Sequence, residues 1–419
     1  MAAAAASTGT GRRLTQQDVE LICARHDRLF SARMGGARAV FAFKDLTGLD
    51  LSGRNLSDAD FTGATLNDAR LVGAKLDNAS FFGADMQGAD LSEASMRRAD
   101  LRGSCLRGAN LTGADLFEAD LREGTIASPD RDKGLRIHEH ATRSGDACGA
   151  ILAGANLERS RLSGVMAMKA DFSDAIMKDC KLIRANLKQA NMSGANLAGA
   201  DLSGADISGA DMHDAVLVGA RTYGWTVGDA DMTGTLTDAP SGKAVDDLPY
   251  EDMLREHARW CETGGAEGKP SVFDRADLRN LKSIRGYNLT ALSAKAAVFY
   301  GLDMEGVQLQ GAHLEGADLR NCNLRRADLR GARLAGAKLS GADLRDAHLG
   351  PLLIAADRLL ACDLTGAQLK ASDLTGADLR QARLAGADLS RANFSSAQLR
   401  GADLTGVRRQ GARGLDEAL

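Results

Sequence analysis

The 419-residue chain has few aromatic residues, few prolines and no long apolar run. Phe, Trp and Tyr make up 4% of it, which is low for one large globular core, and only 5 residues are Pro. No window approaches the roughly 18 consecutive apolar residues that a membrane-spanning helix needs. The start, MAAAAASTGTGRR, lacks the apolar core of a secretory leader. We therefore expect a soluble protein of the bacterial cytoplasm with no membrane segment.

Charge and cysteine usage exclude further classes of protein. The formal net charge is only −4 although 26% of the residues are charged, which argues against strong attraction to nucleic acid or to an anionic membrane. The 7 cysteines form no close-spaced pair. A disulfide framework is therefore not expected, and a reducing compartment is favoured.

What the chain does have is a period of five residues. Between Ala59 and Leu121 almost every fifth residue is Leu, Met or Phe, and the residue two positions before it is nearly always Ala. This spacing fits neither the 3.6-residue period of an α-helix nor the 2-residue period of a strand. A fixed internal period indicates short units that stack on one another.

Three arrays share this period, with apolar centres from Leu46 to Ile126, from Leu152 to Met232 and from Ile284 to Leu404. They hold 17, 17 and 25 units. The gaps between them are 26 and 52 residues, which are not multiples of five, so the intervening segments are insertions. The predicted division is a disordered tail at 1–17, a helical cap at 18–40, array 1 at 41–128, an insert at 129–149, array 2 at 150–238, a helical insert at 239–272, array 3 at 273–406 and a tail at 407–419.

A similar non-repeat piece precedes each array. In the first and third pieces a histidine, His26 or His257, sits in a helix-like stretch, a Gly-Gly pair follows, and Val-Phe opens the repeat. A shorter relative with His140 precedes the second array. We predict a module that is used three times: a helix, a glycine stop and then the coils.

The repeat unit Ala-(Asp/Asn)-Leu-X-X, as in Ala200 to Gly204, resembles the signature of the pentapeptide-repeat family, and the resemblance covers about 295 residues. It implies an all-β solenoid, a right-handed quadrilateral β-helix with four pentapeptides per coil, here with a short α-helical cap and inserts. The residues fit this fold. Leu fills the bore, Ala leaves room beside it, and the polar residue before each Leu points to water, with coils about 4.8 Å apart.

Function is less readable than fold. The first hypothesis is a non-catalytic, rigid scaffold for binding a partner protein. The second, implied by quinolone-protection members of the family, is a DNA-mimicking modulator of gyrase or another topoisomerase. Mimicry needs an unbroken acidic surface. One column, Asp60, Ser80, Asp100 and Asp120, is partly acidic, but others are interrupted by residues such as Arg70.

Two stretches of array 3 are weak candidates for partner binding. In the segment that begins at Pro351, Leu353 and Leu360 fall on outward positions of the repeat frame, while Asp357 falls on an inward one. This predicts either an inert local loop or a docking site. Arg325 and Arg330 belong to a cluster with interleaved aspartates, which predicts surface ion pairs or a patch for an acidic partner. No stacking aromatic accompanies them, so direct nucleic-acid binding is not expected.

Catalytic, cofactor and metal sites are not expected. His138 and His140 with Cys148, or His257 with Cys261, lack a recognised four-ligand zinc spacing. An enzyme or metal module in the inserts is therefore the weakest hypothesis. The segment after Leu404 is too short for a convincing cap, which predicts a homodimer through the C-terminal coil.

Overall fold

The computed structural model describes residues 12–130, 134–281 and 283–418. These residues form two compact units, Met1–Ala239 and Pro240–Leu419, which we describe separately. Unit 1 contains α1 (Gln16–Phe30), β1 (Gly124–Asp130) and β2 (Gly134–Arg143). Unit 2 contains β3 (Lys243–Ala244), a 3₁₀ turn (Val245–Asp247), α2 (Tyr250–Glu262), β4 (Ala276–Asp277), β5 (Leu352–Ala355), β6 (Arg358–Leu360) and α3 (Leu415–Ala418).

Most of the chain is a solenoid held by single parallel bridges between residues 20 apart, such as Asp60 with Ser80. Because an apolar centre recurs every five residues, each coil has four sides. The centres and the alanines two residues before them are almost all buried. The rings of Phe41, Phe61 and Phe81 stack with centroids 4.8 and 4.7 Å apart, which is the spacing expected between paired strands.

The polar residue before each centre does more than point to water. The amide N–H of Thr62 has no partner in the ladder between coils, and it donates to Oδ1 of Asp60 at 3.0 Å. Thr47 donates to Asp45 in the same way at 2.9 Å. Asp and Asn recur at this position because a short side-chain acceptor satisfies the amide two residues later.

Unit 1 joins arrays 1 and 2 in one stack. Four bridges, from Cys105 with Asp146 to Asp120 with Arg161, link residues 41 rather than 20 apart, so 21 residues are inserted. The insert is not the predicted helix. It is an antiparallel hairpin of β1 and β2, in which β-branched residues such as Ile126 favour a strand. Ile126 is therefore not a coil centre.

The N-terminal prediction needs a correction. Residues 1–11 of the predicted disordered tail lie outside the described residues. From Arg12 onward the chain is ordered, because Arg13 bridges to Asp45 and Leu14 is buried. The helix α1 then begins with a capping box in which Thr15 and Asp18 hydrogen-bond each other's backbone amides.

Unit 2 begins with β3, which pairs in parallel with β4, and the 3₁₀ turn; α2 follows, and the coils run from Phe273 onward. Its first bridges span 21 residues because one residue is added before Ile284. A larger insertion comes between Arg333 and Asp363, which bridge although they are 30 apart, so ten residues leave the coil there and form β5 and β6. No helix in the described part of the chain has the length and apolar character needed to cross a membrane.

The predicted C-terminal tail at 407–419 is wrong for its described part. The repeat continues to Arg413, which bridges to Asn393. The short helix α3 follows, with Leu415 buried against the last coils and the amide of Leu399 donating to the carbonyl of Ala418 at 3.2 Å. The frame continues because Ala402, Val407 and Ala412 keep its small apolar positions.

Candidate partner-binding site

The hairpin of β5 and β6 is the clearest departure from the repeat in unit 2. Its strands are antiparallel, with Leu352 opposite Leu360 and Leu353 opposite Leu359. Pro351 stands at its start, where a residue without an amide N–H ends the coil ladder. Asp357, which the repeat frame placed inward, lies exposed in the turn that joins the strands.

The two faces of the hairpin differ. Leu352 and Leu360 are half-buried over Gly331, where a Cβ atom would lie 2.8 Å from Cβ of Leu352. On the other face Leu353 is 63% exposed and Leu359 is 53% exposed. The prediction that Leu360 points outward is therefore wrong, because the ten inserted residues reset the frame. Leu359, which sequence reasoning missed, is exposed instead.

A groove of about 640 Å³ opens beside Pro351. Arg330, His348 and Arg380 line it, together with Asp328 and Asp378. These residues belong to successive coils, since Asp328 bridges to His348 and His348 to Asp378. The middle coil carries Gly350 where its neighbours carry Arg330 and Arg380. A missing side chain between two arginines therefore creates the groove.

Both arginines form a two-pronged contact with the aspartate two residues before them. Arg330 donates from Nε and Nη2 to the two oxygens of Asp328 at 2.9 and 2.6 Å. Arg380 does so to Asp378 at 2.8 Å for both bonds. Burial alone would raise the pKa of Asp328, but the bonds from Arg330 outweigh it and lower that pKa. The bonds from Arg380 likewise lower the pKa of Asp378.

The tripeptide Asp-Leu-Arg is the sequence signal for this contact. Residues i and i+2 of a strand share one face, so the two charged side chains meet outside while Leu turns inward. The sequence predicts surface ion pairs in this cluster, and the contact of Arg330 with Asp328 is one of them. The same two-pronged pairs occur at Asp100–Arg102, Asp120–Arg122, Asp277–Arg279, Asp318–Arg320 and Asp343–Arg345.

Of the five predicted partner-binding residues, Pro351 and Arg330 line the groove, and Leu353 is exposed on the adjoining hairpin. Leu360 forms the base of the hairpin. Arg325 lies one side of the coil earlier than Arg330, where its amide donates to Oδ1 of Asn323 at 3.3 Å. It is not among the residues that line the groove.

The candidate acidic column in unit 1 is not a bare negative surface. The column from Asp60 to Asp120 is real, because successive members bridge one another. However, Asp120 accepts both bonds of Arg122, and the next residue in the column is Arg161. The carboxylates that would imitate phosphates are thus paired with guanidinium groups.

The candidate metal ligands are placed as follows. His257 is fully buried, and its Nδ1 accepts the amide N–H of Ser271 at 2.8 Å. Sγ of Cys261 lies 3.9 Å from the carbonyl oxygens of Asn288 and Thr290. The side chains of His138 and His140 lie outside what the structure describes. Within the described ranges no three His, Cys, Asp or Glu residues are grouped to hold a metal ion.

The geometry defines a solenoid protein whose coils are built from five-residue segments. The chain belongs to the pentapeptide-repeat family, since the family model described as pentapeptide repeats matches eight copies that together cover more than half of it. The copies match residues 45–83, 79–116, 94–123, 146–179, 180–219, 308–346, 362–395 and 372–408. No curated protein matches the chain.

Solved structures with similarity include other pentapeptide repeat proteins. Rfr23 from the cyanobacterium Cyanothece 51142 is 27% identical over 31% of this chain and 89% of its own, with a TM-score of 0.26. HetL from Nostoc sp. strain PCC 7120, involved in heterocyst differentiation regulation, is 24% identical over 82% and 89%, with a TM-score of 0.13. QnrB1, a plasmid-mediated fluoroquinolone resistance protein, is 19% identical over 54% and 86%, with a TM-score of 0.16.

Proposed function

We propose that this protein is a non-catalytic, rigid scaffold that binds a partner protein through the β5–β6 hairpin. The observation that carries the proposal is the exposed pair Leu353 and Leu359, which stands on a stack of coils joined by regular hydrogen bonds. Exposed apolar groups often mark contact surfaces. A surface that is already ordered loses little conformational entropy when it binds. The proposal includes a cytoplasmic location and a right-handed winding of the coils.

Site-directed cross-linking in the native cell tests this function. A photo-reactive residue placed at Ile354, which is 44% exposed, should capture a defined protein. The capture should be lost when Leu353→Ser and Leu359→Ser are combined. The control is Leu21→Ser on α1. Leu21 is 62% exposed, but it belongs to unit 1 and is distant in sequence from the hairpin. If the parent, the variant with Leu353→Ser and Leu359→Ser, and the Leu21→Ser control all capture the same proteins, the hairpin is not the binding element.

Modulation of gyrase or another topoisomerase is the alternative function, and the fluoroquinolone resistance described for QnrB1 makes it worth testing. The pairing of Asp120 with Arg122 speaks against it, because mimicry of DNA needs unpaired negative charge. A supercoiling assay with purified protein and gyrase, with and without a quinolone, distinguishes this function from the scaffold function. A change in supercoiling would favour the alternative.

A further inference from the structure

We propose that the partner presents an extended, acidic segment that pairs with the β5–β6 hairpin and places carboxylates in the adjacent groove. This inference rests on the proposed function and specifies the chemistry of the partner. Three independent features support it: an open strand edge, an apolar strip and guanidinium groups in the adjacent groove.

The open edge comes from the size of the sheet. Within the described residues β5 and β6 pair only with each other, so each strand has a second edge without a strand partner. Such an edge presents alternating N–H and C=O groups, and an extended segment can satisfy them by adding as a further strand. The hairpin projects from the coils, with residues 353–359 all exposed, which leaves room for a strand beside it.

The apolar strip specifies every second residue of the segment. Leu353 and Leu359 face each other across the two strands and lie on the same exposed face. Every second side chain of an added strand lies on this same face. The side chain next to Leu353 or Leu359 can therefore pack against that leucine. The segment therefore carries apolar residues at every second position.

The charge around the hairpin selects the remaining positions. In the groove, Asp328 and Asp378 already accept from their own arginines. Each of these contacts uses Nε and Nη2, so Nη1 of Arg330 and of Arg380 stands outside it. His348 lines the groove beside them. Asp357 and Arg358 at the hairpin tip offset each other. Carboxylates complement this surface better than ammonium groups do.

A library of extended peptides tests the inference with the full chain. Apolar residues alternate with positions that take Asp, Glu, Lys, Arg or Ser, and binders are selected on the purified protein. We expect enrichment of Asp and Glu. The tightest acidic peptide, measured by fluorescence anisotropy, should bind at least about tenfold more weakly to the variant with Arg330→Gln and Arg380→Gln. It should bind similarly weakly to the variant with Leu353→Ser and Leu359→Ser.

The matched control lies in unit 1, where Arg102 and Arg122 make the same contacts with their own aspartates. The variant with Arg102→Gln and Arg122→Gln should bind as the parent does. Two peptides test the strand pairing, one N-methylated at the odd-numbered amides and one at the even-numbered amides. Only the peptide whose methylated amides face the hairpin edge should lose binding, because it lacks the N–H groups that pair there. Circular dichroism confirms that each variant is folded.

Several results would overturn the inference. These are enrichment of Lys and Arg, no binder from the library, or an acidic peptide that binds the arginine variant as well as the parent. Self-association that disappears in the leucine variant, seen by sedimentation, would instead make the hairpin an interface between copies. If cross-linking at the hairpin still captures a partner in any of these cases, the scaffold function stands and only the acidic segment is wrong.

Discussion

His26 accepts the amide N–H of Ala39 on its Nδ1 at 3.0 Å, and both residues are fully buried. His257 accepts the amide of Ser271 at 2.8 Å in the same way. In each unit the donor lies two residues before the phenylalanine that opens the coil stack. One imidazole therefore fastens the first helix of each unit to its first coil.

Removing either imidazole should loosen the corresponding cap. We expect His26→Ala to lower the free energy of unfolding of unit 1 by about 1–3 kcal/mol, because the buried amide of Ala39 loses its acceptor. Urea titration followed by circular dichroism measures this. The control is His213→Ala, since the side chain of His213 is 51% exposed. Equal unfolding midpoints for the two variants would contradict the assigned role.

The same two histidines should make stability depend on pH. Burial lowers the pKa of both His26 and His257 below the ordinary value of 6.5. For His26 the nearby Asp27 and Asp58 oppose this effect and Arg38 adds to it, but burial is the largest cause. The folded state keeps the rings neutral while the unfolded chain takes up protons below pH 6.5. Stability is thus fully present above that pH and is lost as the pH falls below it.

Melting temperatures at about pH 7.5 and about pH 5.5 test this linkage. The parent protein should melt at a lower temperature at the acidic pH. The variant with His26→Gln and His257→Gln keeps an oxygen acceptor that does not titrate, so most of the pH dependence should vanish. An unchanged drop in the variant would assign the effect to other groups.

Gly331 should be the critical glycine under the hairpin. Its φ is +65°, and a Cβ there would lie 2.8 Å from Cβ of Leu352. Gly336 has a φ of +66° but nothing within 4 Å of the added atom, so it is a matched control for backbone strain. We expect Gly331→Ala to lower the free energy of unfolding by about 1 kcal/mol more than Gly336→Ala does. Urea titration compares them, and equal losses would mean that the hairpin does not pack there.

The repeat could be predicted from sequence because one rule holds at nearly every unit. A period of five with an inward Leu or Phe and a small Ala fixes which residues are buried, and a step of four units fixes which residues share a column. Asp60 and Ser80 were placed side by side on this rule alone, and they bridge. The family model confirms the resemblance that the same residues suggested.

The presence of insertions could be predicted from breaks in the frame, but their internal structure could not, because the five-residue rule does not apply within them. The residues around Ile126 continue the five-residue frame by chance but leave the coil as strand β1. At the hairpin, the five-residue frame indicated Pro351 and Leu353 correctly. It also predicted that Leu360 is exposed, whereas the exposed residue is Leu359. A two-residue period had replaced the five-residue period, so extrapolation assigned the wrong face. Surface ion pairs in the arginine cluster were predicted, but not that each Arg pairs with the Asp two residues before it, which follows from strand geometry.

The stacked phenylalanines provide a test of the core. Phe61 lies between Phe41 and Phe81 with no exposed surface. Phe61→Ala should lower the free energy of unfolding by about 3–5 kcal/mol, because a rigid stack cannot close the resulting cavity. Phe82→Ala is the control, since Phe82 is half-buried on the outside with Arg102 over its ring, and it should lose less than about 1 kcal/mol. Similar losses would place Phe61 outside a close-packed bore.

Each unit should fold without the other. The buried apolar residues fall into two clusters, one from Leu14 to Leu217 and one from Val245 to Leu415. In a solenoid each coil contacts only its neighbours, so stability depends on local contacts and on a capped start. Unit 2 has such a start in α2, with Leu254 and His257 buried.

A protein of residues 240–419 should therefore show a β-type circular dichroism spectrum and cooperative unfolding. The comparison is a shorter protein of residues 271–419, which lacks α2 and exposes the first coil. We expect it to unfold at lower urea concentration and to aggregate, because an uncovered coil presents unpaired N–H and C=O groups. If the two proteins are equally stable, α2 does not cap the coils of unit 2, and the contact between its histidine and the first coil does not stabilise them.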